Sequence, residues 1–274
     1  MLRSRLTPPP FEAGTVWLVG AGPGDPGLLT LHAVHALEQA DVVLHDALVS
    51  ADILALADRA RLESVGKRAG GRRTPQLRIN ARLIQLARQG LRVVRLKGGD
   101  PLIFGRGGEE AVALAAAGIA FRIVPGISAG IGGTALAGIP LTHRALARSV
   151  AFATGHDSSG TLTDIDWAAL SRGADVLVLY MGQRQIGAIA ERLMAQGRSP
   201  DQGVAVITDA TRAEQSVRIA TLATAAAAVA DLPAAGATLI VVGPVVALRA
   251  LLLEWQQTTP MILQPLPEPA RVQA

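Results

Sequence analysis

Short apolar runs alternate with amphipathic stretches through the first half of the chain. Thr15–Gly20 (TVWLVG) predicts a buried strand, and a glycine turn leads into a helix over Thr30–Gln39. Asp41–Asp46 (DVVLHD) predicts a second strand and Leu62–Val65 a short third. Leu77, Leu83, Ile84, Leu86 and Ala87 recur at helical spacing across Pro75–Gln89. Leu91–Leu96 predicts a strand, Glu109–Ala117 a helix and Ala120–Val124 another strand. Strands that are apolar on both faces and alternate with helices predict an α/β domain whose sheet is mainly parallel and covered on both sides. Ligands of such sheets bind beyond the carboxyl ends of the strands.

The stretch Gly138–Arg148 reads as a connector, after which the pattern restarts. Strands are expected at Ser149–Thr154, Asp175–Met181, Gly203–Thr208, Ser216–Ala220 and Thr238–Gly243. Helices are expected at Asp166–Leu170, Gln185–Gln196, Leu222–Ala230 and Val245–Trp255. Val217 and Ile219 alternate with polar neighbours, as in an antiparallel strand, so the second sheet is expected to be mixed. The chain thus divides into an N-terminal α/β domain over 14–142 and a C-terminal α/β domain over 147–257. Tails are expected at 1–13 and 258–274.

Of 274 residues half are hydrophobic and 18% charged, which suits a substantial core and not a disordered chain. The absence of cysteine excludes disulfides, thiolate catalysis and cysteine-held metal centres, and no metal is expected. Aromatic residues at 3% argue against a surface for stacking nucleobases. The uncharged run Ile123–Thr142 has the length of a membrane span, but Pro125, Pro140 and five glycines make it loops and a buried helix. Residues 1–13 lack the apolar segment of a secretory signal. The expectation is a soluble, cytoplasmic protein with no membrane partner.

Charge is unevenly placed. From Arg59 to Arg106 thirteen basic residues face two acids, a local excess of +11 within a net charge of +4, so the remainder carries −7. Arg78, Arg82 and Arg88 fit a solvated helix face; the sharper reading is a binding region for a polyanion, whether nucleic acid, phosphate or a polycarboxylate. Only two of the 26 basic residues are lysines, Lys67 and Lys97, and both flank glycines at ends of predicted strands.

Two glycine loops carry candidate chemistry. Gly22, Gly24 and Gly27 formally satisfy GxGxxG, and Asp46 ends the next strand where a nicotinamide enzyme would hold a ribose. Yet Pro23 and Pro26 lack the N–H that a phosphate cradle needs, and Asp25 puts a carboxylate at the helix entrance. A cationic, phosphate-free ligand such as S-adenosylmethionine suits this loop better. In the second, Lys97-Gly-Gly-Asp-Pro-Leu-Ile-Phe-Gly-Arg-Gly-Gly-Glu-Glu110, Gly98 and Gly99 allow direct backbone contact with a ligand. Arg106 and Glu109 stand one helical turn apart, as an ion pair or as ligand contacts. Pro125–Ala129, Thr142–Arg144 and Tyr180–Gly182 read as further loops at strand ends.

These segments bring a family into view. VGAGPGDPGLLT, VVLHDALVS, VGKRAG, RLKGGDPLIFGRGGEE, VPGISAG, GIPLTHR, TGH, LYMG and VVGPVVALR stand in family order across roughly 14–255, and the chain closely resembles the tetrapyrrole methylases. GGDPxxFGRGGEE together with VGKRxG and THR points to the branch that methylates uroporphyrinogen III. The resemblance implies two α/β domains with the cofactor in the cleft between them, in a homodimer. It implies methyl transfer from S-adenosylmethionine to C2 and C7 of uroporphyrinogen III, giving precorrin-2 for sirohaem, cobalamin and haem d1, with S-adenosylhomocysteine released. Cofactor contacts carry over to Pro23, Gly98, Gly99, Asp100, Ile103, Ser128, Ala129, Met181, Ala210 and Thr238. Asp46 and Lys67 carry over as acid–base residues, and Arg106, Glu109 and Arg144 as substrate contacts, with Arg68, Arg72 and Arg148 as further candidates for the substrate's carboxylates. His45, Gln76–Asn80 and Asp209–Thr211 depart from the usual pattern. Another tetrapyrrole methylase, a nicotinamide dehydrogenase resting on GxGxxG and a nucleic-acid binder resting on the basic segment are the alternatives.

Overall fold

The computed structural model describes residues 7–66, 74–156, 160–233 and 237–254. The first half runs β1 (Val16–Gly20), α1 (Leu31–Gln39), β2 (Val42–His45), α2 (Ala51–Leu54), β3 (Arg61–Ser64), α3 (Gln76–Arg88), β4 (Val93–Lys97), α4 (Gly107–Ala116), β5 (Phe121–Val124) and α5 (Ala129–Leu136). Its five strands pair in the order β3-β2-β4-β1-β5, all parallel. Its central strands β1, β2 and β4 are buried on both faces, as suits a parallel sheet, while the edge strands β3 and β5 are largely exposed. Trp17, Val19, Val43, Val94 and Leu96 pack with Ala33, Ala36 and Leu37 of α1 on one side. Val16, Leu18, Val42, Leu44 and Val93 pack with Ile79, Leu83 and Leu86 of α3 and Leu114 of α4 on the other. Each buried valine, leucine or isoleucine among them contributes about 1.5–3 kcal/mol.

Local signals set the helix ends. The Thr30 hydroxyl accepts from Ala33 N at 3.1 Å and starts α1. Gly90, at φ 79°, accepts the left-handed turn that ends α3. Asp25 accepts from Gly27 N at 2.7 Å and opens a single 3₁₀ turn over Pro26–Leu28. The carboxylate read as barring a pyrophosphate is thus fixed in place by the loop itself.

The second half runs β6 (Val150–Thr154), α6 (Trp167–Gly173), β7 (Val176–Tyr180), α7 (Ile186–Ala195), β8 (Gly203–Thr208), β9 (Ser216–Thr221), α8 (Ala225–Ala228), β10 (Thr238–Val242) and α9 (Leu248–Leu253). The sheet order is β6-β7-β10-β8-β9; β6 and β7 are parallel and the other pairs antiparallel, so this sheet is mixed as expected. The helix expected over Leu222–Ala230 is shorter: a 3₁₀ turn at Leu222–Thr224 precedes the four residues of α8. The Thr221–Thr224 capping box tightens the entry there. Likewise Pro244–Ala247 is 3₁₀ before α9.

Helix α5 joins the halves. It follows β5 of the first sheet, but Ala137 and Ile139 just beyond it pack with Val178, Leu239 and Val241 of the second. The apolar run Ile123–Thr142 is therefore a strand end, a loop and a helix wedged between two sheets. No helix among the described residues is long and apolar enough to cross a membrane.

Candidate active site

The carboxyl ends of β1, β4 and β5 meet with no side chain between them. A Cβ on Gly20 would lie 2.5 Å from Gly126 Cα, and one on Gly126 would lie 2.2 Å from Gly99 O. Gly22 and Gly99 exchange backbone hydrogen bonds at 3.2 and 2.7 Å. Asp100 ties the same corner: its Oδ1 accepts from Leu102 N at 2.8 Å and its Oδ2 from Gly126 N at 3.1 Å.

Loops of the second sheet close over this corner. Tyr180, the last residue of β7, sets its hydroxyl 2.6 Å from Ser128 Oγ, and Gly130 N donates to it at 2.8 Å. The Phe104 ring packs against Tyr180 at 4.9 Å. Thr211 Oγ1 accepts from Asp25 N at 3.1 Å, and Arg212 donates to Leu48 O. Ala210 is buried against α5, where a Cβ on Gly133 would come within 2.8 Å of its methyl. A depression of 340 Å³ lies at this junction, lined by residues 24–26, 49–52 and 211–214.

Backbone strain concentrates here. Among the described residues the non-glycine positions with positive φ are Phe104, Arg106, Met181, Asp209 and Thr211, all in these loops. Each costs about 1–2 kcal/mol relative to an ordinary conformation, and such strain persists where the surroundings hold it for function.

Of the candidate cofactor residues, the structure gathers Pro23, Gly99, Asp100, Ser128, Ala129, Met181 and Ala210 around this junction. Pro23 Cγ lies 3.2 Å from the position a Cβ on Gly132 would take, and Gly99 faces Ser128 and Ala129. Gly98 precedes Gly99 beside Leu48, and Ile103 follows on the same loop, half exposed like Met181. Thr238 is a step removed: its hydroxyl donates to Gln183 Oε1 at 3.0 Å, in the turn after β7.

The candidate acid–base and substrate residues separate. Asp46 follows β2 and faces β4. Lys67, Arg68 and Arg72 lie outside the described residues. Arg106 caps α4 in the left-handed conformation and grips Glu109 in two-pronged fashion, Nε to Oε1 at 2.8 Å and Nη2 to Oε2 at 2.7 Å. Both are over half exposed. Arg144 occupies the exposed turn closed by the His143–Ala147 bridge, and Arg148 Nε donates to its carbonyl at 3.4 Å.

A buried ionic cluster below Asp46 was not expected. Side chains alternate along β4, so Arg95 and Lys97 share the face of Val93, against α3 and α4. Arg95 Nη2 donates to Asp46 Oδ1 at 2.5 Å and its Nε to Glu110 Oε1 at 2.9 Å; Nη1 reaches Leu96 O at 3.1 Å. Lys97 Nζ lies 3.3 Å from both Glu110 oxygens and 3.9 Å from Asp46 Oδ2. Its approach to Oε2 is off the hydrogen-bonding line, and that oxygen lacks a hydrogen-bond donor. Gln76 Nε2 of α3 completes the set on Oε1 at 3.0 Å. Burial pushes the Lys97 ammonium below its ordinary pKa, with the Arg95 charge adding to this; Asp46 and Glu110 offset part. For Arg95 burial opposes the charge, but Asp46 and Glu110 together hold its pKa above the ordinary value.

The cluster also corrects the reading of the basic segment. Arg95 and Lys97 are spent inside the protein, Arg61 and Arg82 bind Glu63, Arg92 pairs with Asp41, and Arg106 with Glu109. The field offered to a polyanion by the described residues is smaller than the sequence excess of +11.

The chain as a whole has known counterparts. The family model for Tetrapyrrole (Corrin/Porphyrin) Methylases matches residues 15–262. The chain belongs to the tetrapyrrole methylase family. As a tetrapyrrole methylase it is 56% identical over 250 residues to a uroporphyrinogen-III C-methyltransferase from Sinorhizobium sp, covering 90% of this chain and 89% of that protein. It is 53% identical over 239 residues to the siroheme synthase of Neisseria meningitidis serogroup B, covering 87% of this chain and 49% of the relative, so it spans about half that protein. The crystal structure of a Thermus thermophilus uroporphyrin-III C-methyltransferase complexed with S-adenosylhomocysteine matches this methylase with a TM-score of 0.74 at 37% identity, covering 85% of this chain and 99% of that one. The proline-bearing GxGxxG loop is thus a methylase loop, and the dehydrogenase reading falls.

Proposed function

We propose that this protein transfers methyl groups from S-adenosylmethionine to C2 and C7 of uroporphyrinogen III, releasing S-adenosylhomocysteine and giving precorrin-2 for the sirohaem, cobalamin or haem d1 branch. It works in the cytoplasm as a homodimer. The observation that carries the reading is the meeting of strand ends at Gly20, Gly99 and Gly126, with Asp46 at the end of the neighbouring strand paired to Arg95. The 56% identity to a C-methyltransferase of the same extent supports the substrate.

The donor fits the residues present. Pro23, Asp25 and Pro26 suit a ligand without phosphate, and Gly98 and Gly99 offer open backbone beside the half-exposed Ile103 and Met181. Pro23, Gly98, Gly99, Asp100, Ile103, Ser128, Ala129, Met181, Ala210 and Thr238 would hold it. When bound it supplies a methyl group already activated on a sulfonium.

The chain's own work is alignment and charge handling. Orienting an electron-rich pyrrole carbon on that methyl can contribute about 7–11 kcal/mol. Arg106 and Arg144 pair with acetate and propionate carboxylates, for which the planar guanidinium fork is suited; Glu109 holds Arg106 extended until they arrive. Loss of the ring proton after methylation falls to Asp46, with Lys67 assisting.

Anaerobic incubation with uroporphyrinogen III and a methyl-labelled donor tests the reading. Two labelled methyl groups should appear on the tetrapyrrole, with the absorption spectrum of the product. Label on another tetrapyrrole alone, or none, would overturn it.

A further inference from the structure

Asp46 and the three charges beneath it, Arg95, Lys97 and Glu110, form a unit that the proposed chemistry leaves unexplained. An apolar residue at positions 95 and 97 would suit the core face of a central strand better, because desolvating ions costs more than their pairing usually returns. Arg95, Lys97 and Glu110 have side chains at most 3% exposed, whereas Asp46 is 32% exposed. Among the described residues of the unit, Asp46 is the member that reaches solvent. The unit's composition is balanced, two cations and two carboxylates. Arg95 uses Nε, Nη1 and Nη2 on fixed partners, so it cannot swing away.

The adjacent glutamates of GRGGEE face opposite ways. Glu109 is over half exposed and Glu110 wholly buried. The left-handed Arg106 sets this orientation of α4, and Gly105 closes over Lys97, whose Cε lies 3.3 Å from where a Cβ would stand.

We infer that Arg95, Glu110 and Lys97 are positioning residues for Asp46, an ionic bridge from β4 to α4 that fixes the direction of its carboxylate. This rests on the proposed role of Asp46 as proton acceptor. Among the described residues the charged groups against Asp46 are Arg95 and Lys97 of β4, with Glu110 of α4 behind them; His45 Nδ1 lies 3.1 Å from the Asp46 carbonyl.

The test compares Arg95→Met, Glu110→Gln and Asp46→Asn in the full chain by kcat, KM and the pH dependence of kcat, with S-adenosylhomocysteine affinity as a check of the cleft. Arg95→Met should lower kcat roughly 10–100-fold, the scale of a misplaced reacting group, with KM and S-adenosylhomocysteine affinity unchanged. Removing a cation beside a carboxylate eases its protonation, so the acid limb of the profile should move to higher pH. Glu110→Gln removes an anion instead and should move that limb to lower pH. It keeps the oxygen that accepts from Arg95, Lys97 and Gln76, so it carries the test alone if Arg95→Met does not fold. In the Asp46→Asn background neither change should lower kcat further. Limbs that stay fixed or move together, or losses that add to that of Asp46→Asn, would overturn the inference and leave the role of Asp46 standing. Unchanged turnover in Asp46→Asn alone would overturn both.

Discussion

Tyr180→Phe removes one oxygen from the seam between the two sheets, and its consequences can be worked from contacts already described. The phenol oxygen accepts from Gly130 N at 2.8 Å and lies 2.6 Å from Ser128 Oγ. Phenylalanine keeps the packing on Phe104 and leaves the Gly130 N–H without its acceptor. A buried donor so orphaned costs about 1–3 kcal/mol. For about 2 kcal/mol the melting temperature should fall by roughly 4–8 °C for a chain of this size. Ser128 and Ala129 open α5, so part of the loss should appear as weaker S-adenosylhomocysteine binding, near tenfold for about 1.4 kcal/mol. Calorimetric melting and titration measure the two effects. An unchanged melting temperature and affinity would refute the seam's role. Tyr180 is also the chain's one tyrosine, so its ultraviolet titration is unambiguous. Burial pushes its phenol up, against the Ser128 and Gly130 hydrogen bonds. A folded pKa above the unfolded one means its contribution is whole below the ordinary phenol value and fades as pH rises through the raised one. The phenolate absorbance step should therefore come later in the native protein than in denaturant.

Further expectations concern single sites. Arg106→Ala should cut kcat/KM for the tetrapyrrole by roughly 10–100-fold, the worth of a charged hydrogen bond, while calorimetry shows S-adenosylhomocysteine binding intact; equal loss of both would remove its substrate role. Gly126→Ala should destabilise by at least the ~1–3 kcal/mol of an overpacked core, because its new methyl would meet only backbone, whereas Gly108→Ala, with nothing within 4 Å, should stabilise α4 by up to about 1 kcal/mol in denaturant titrations. The Arg82 hydrogen bonds, more than Arg61, hold the Glu63 carboxyl below its ordinary pKa despite partial burial. That stability is present above the unfolded carboxylate value and lost as pH falls through the folded one. In partly exposed surroundings Glu63→Gln should cost roughly 0.5–1 kcal/mol at neutral pH and nothing in acid, read by melting temperature against pH.

The alternation of strands and helices is legible because both faces of the central strands of the first sheet are covered, which leaves unbroken apolar runs such as TVWLVG. Helix boundaries followed Thr30 and Gly90, whose chemistry is local. Helix α5 was harder, since its glycines serve close approach to Tyr180, Ala210 and Pro23, partners distant in sequence. The glycine loops announced the cleft, but that Gly20, Gly99 and Gly126 touch one another is a tertiary fact. Lys97 stands out by its rarity and Glu110 belongs to the GRGGEE segment, but nothing local in the sequence assigns either a role. Arg95 reads as one more arginine in a basic stretch. Strand parity held the signal: Val93, Arg95 and Lys97 share a face of a strand flanked by two others, so the cations had to find buried carboxylates.

The glycine meeting point has a consequence for altering the enzyme. Where three segments press main chain on main chain, the base of the crevice has no replaceable groups, and mutagenesis there perturbs the scaffold before it retunes recognition. Acceptance of a bulkier alkyl donor would have to be engineered from the rim, at Leu48, Ile103 and Met181, whose side chains stand partly in solvent and tolerate exchange.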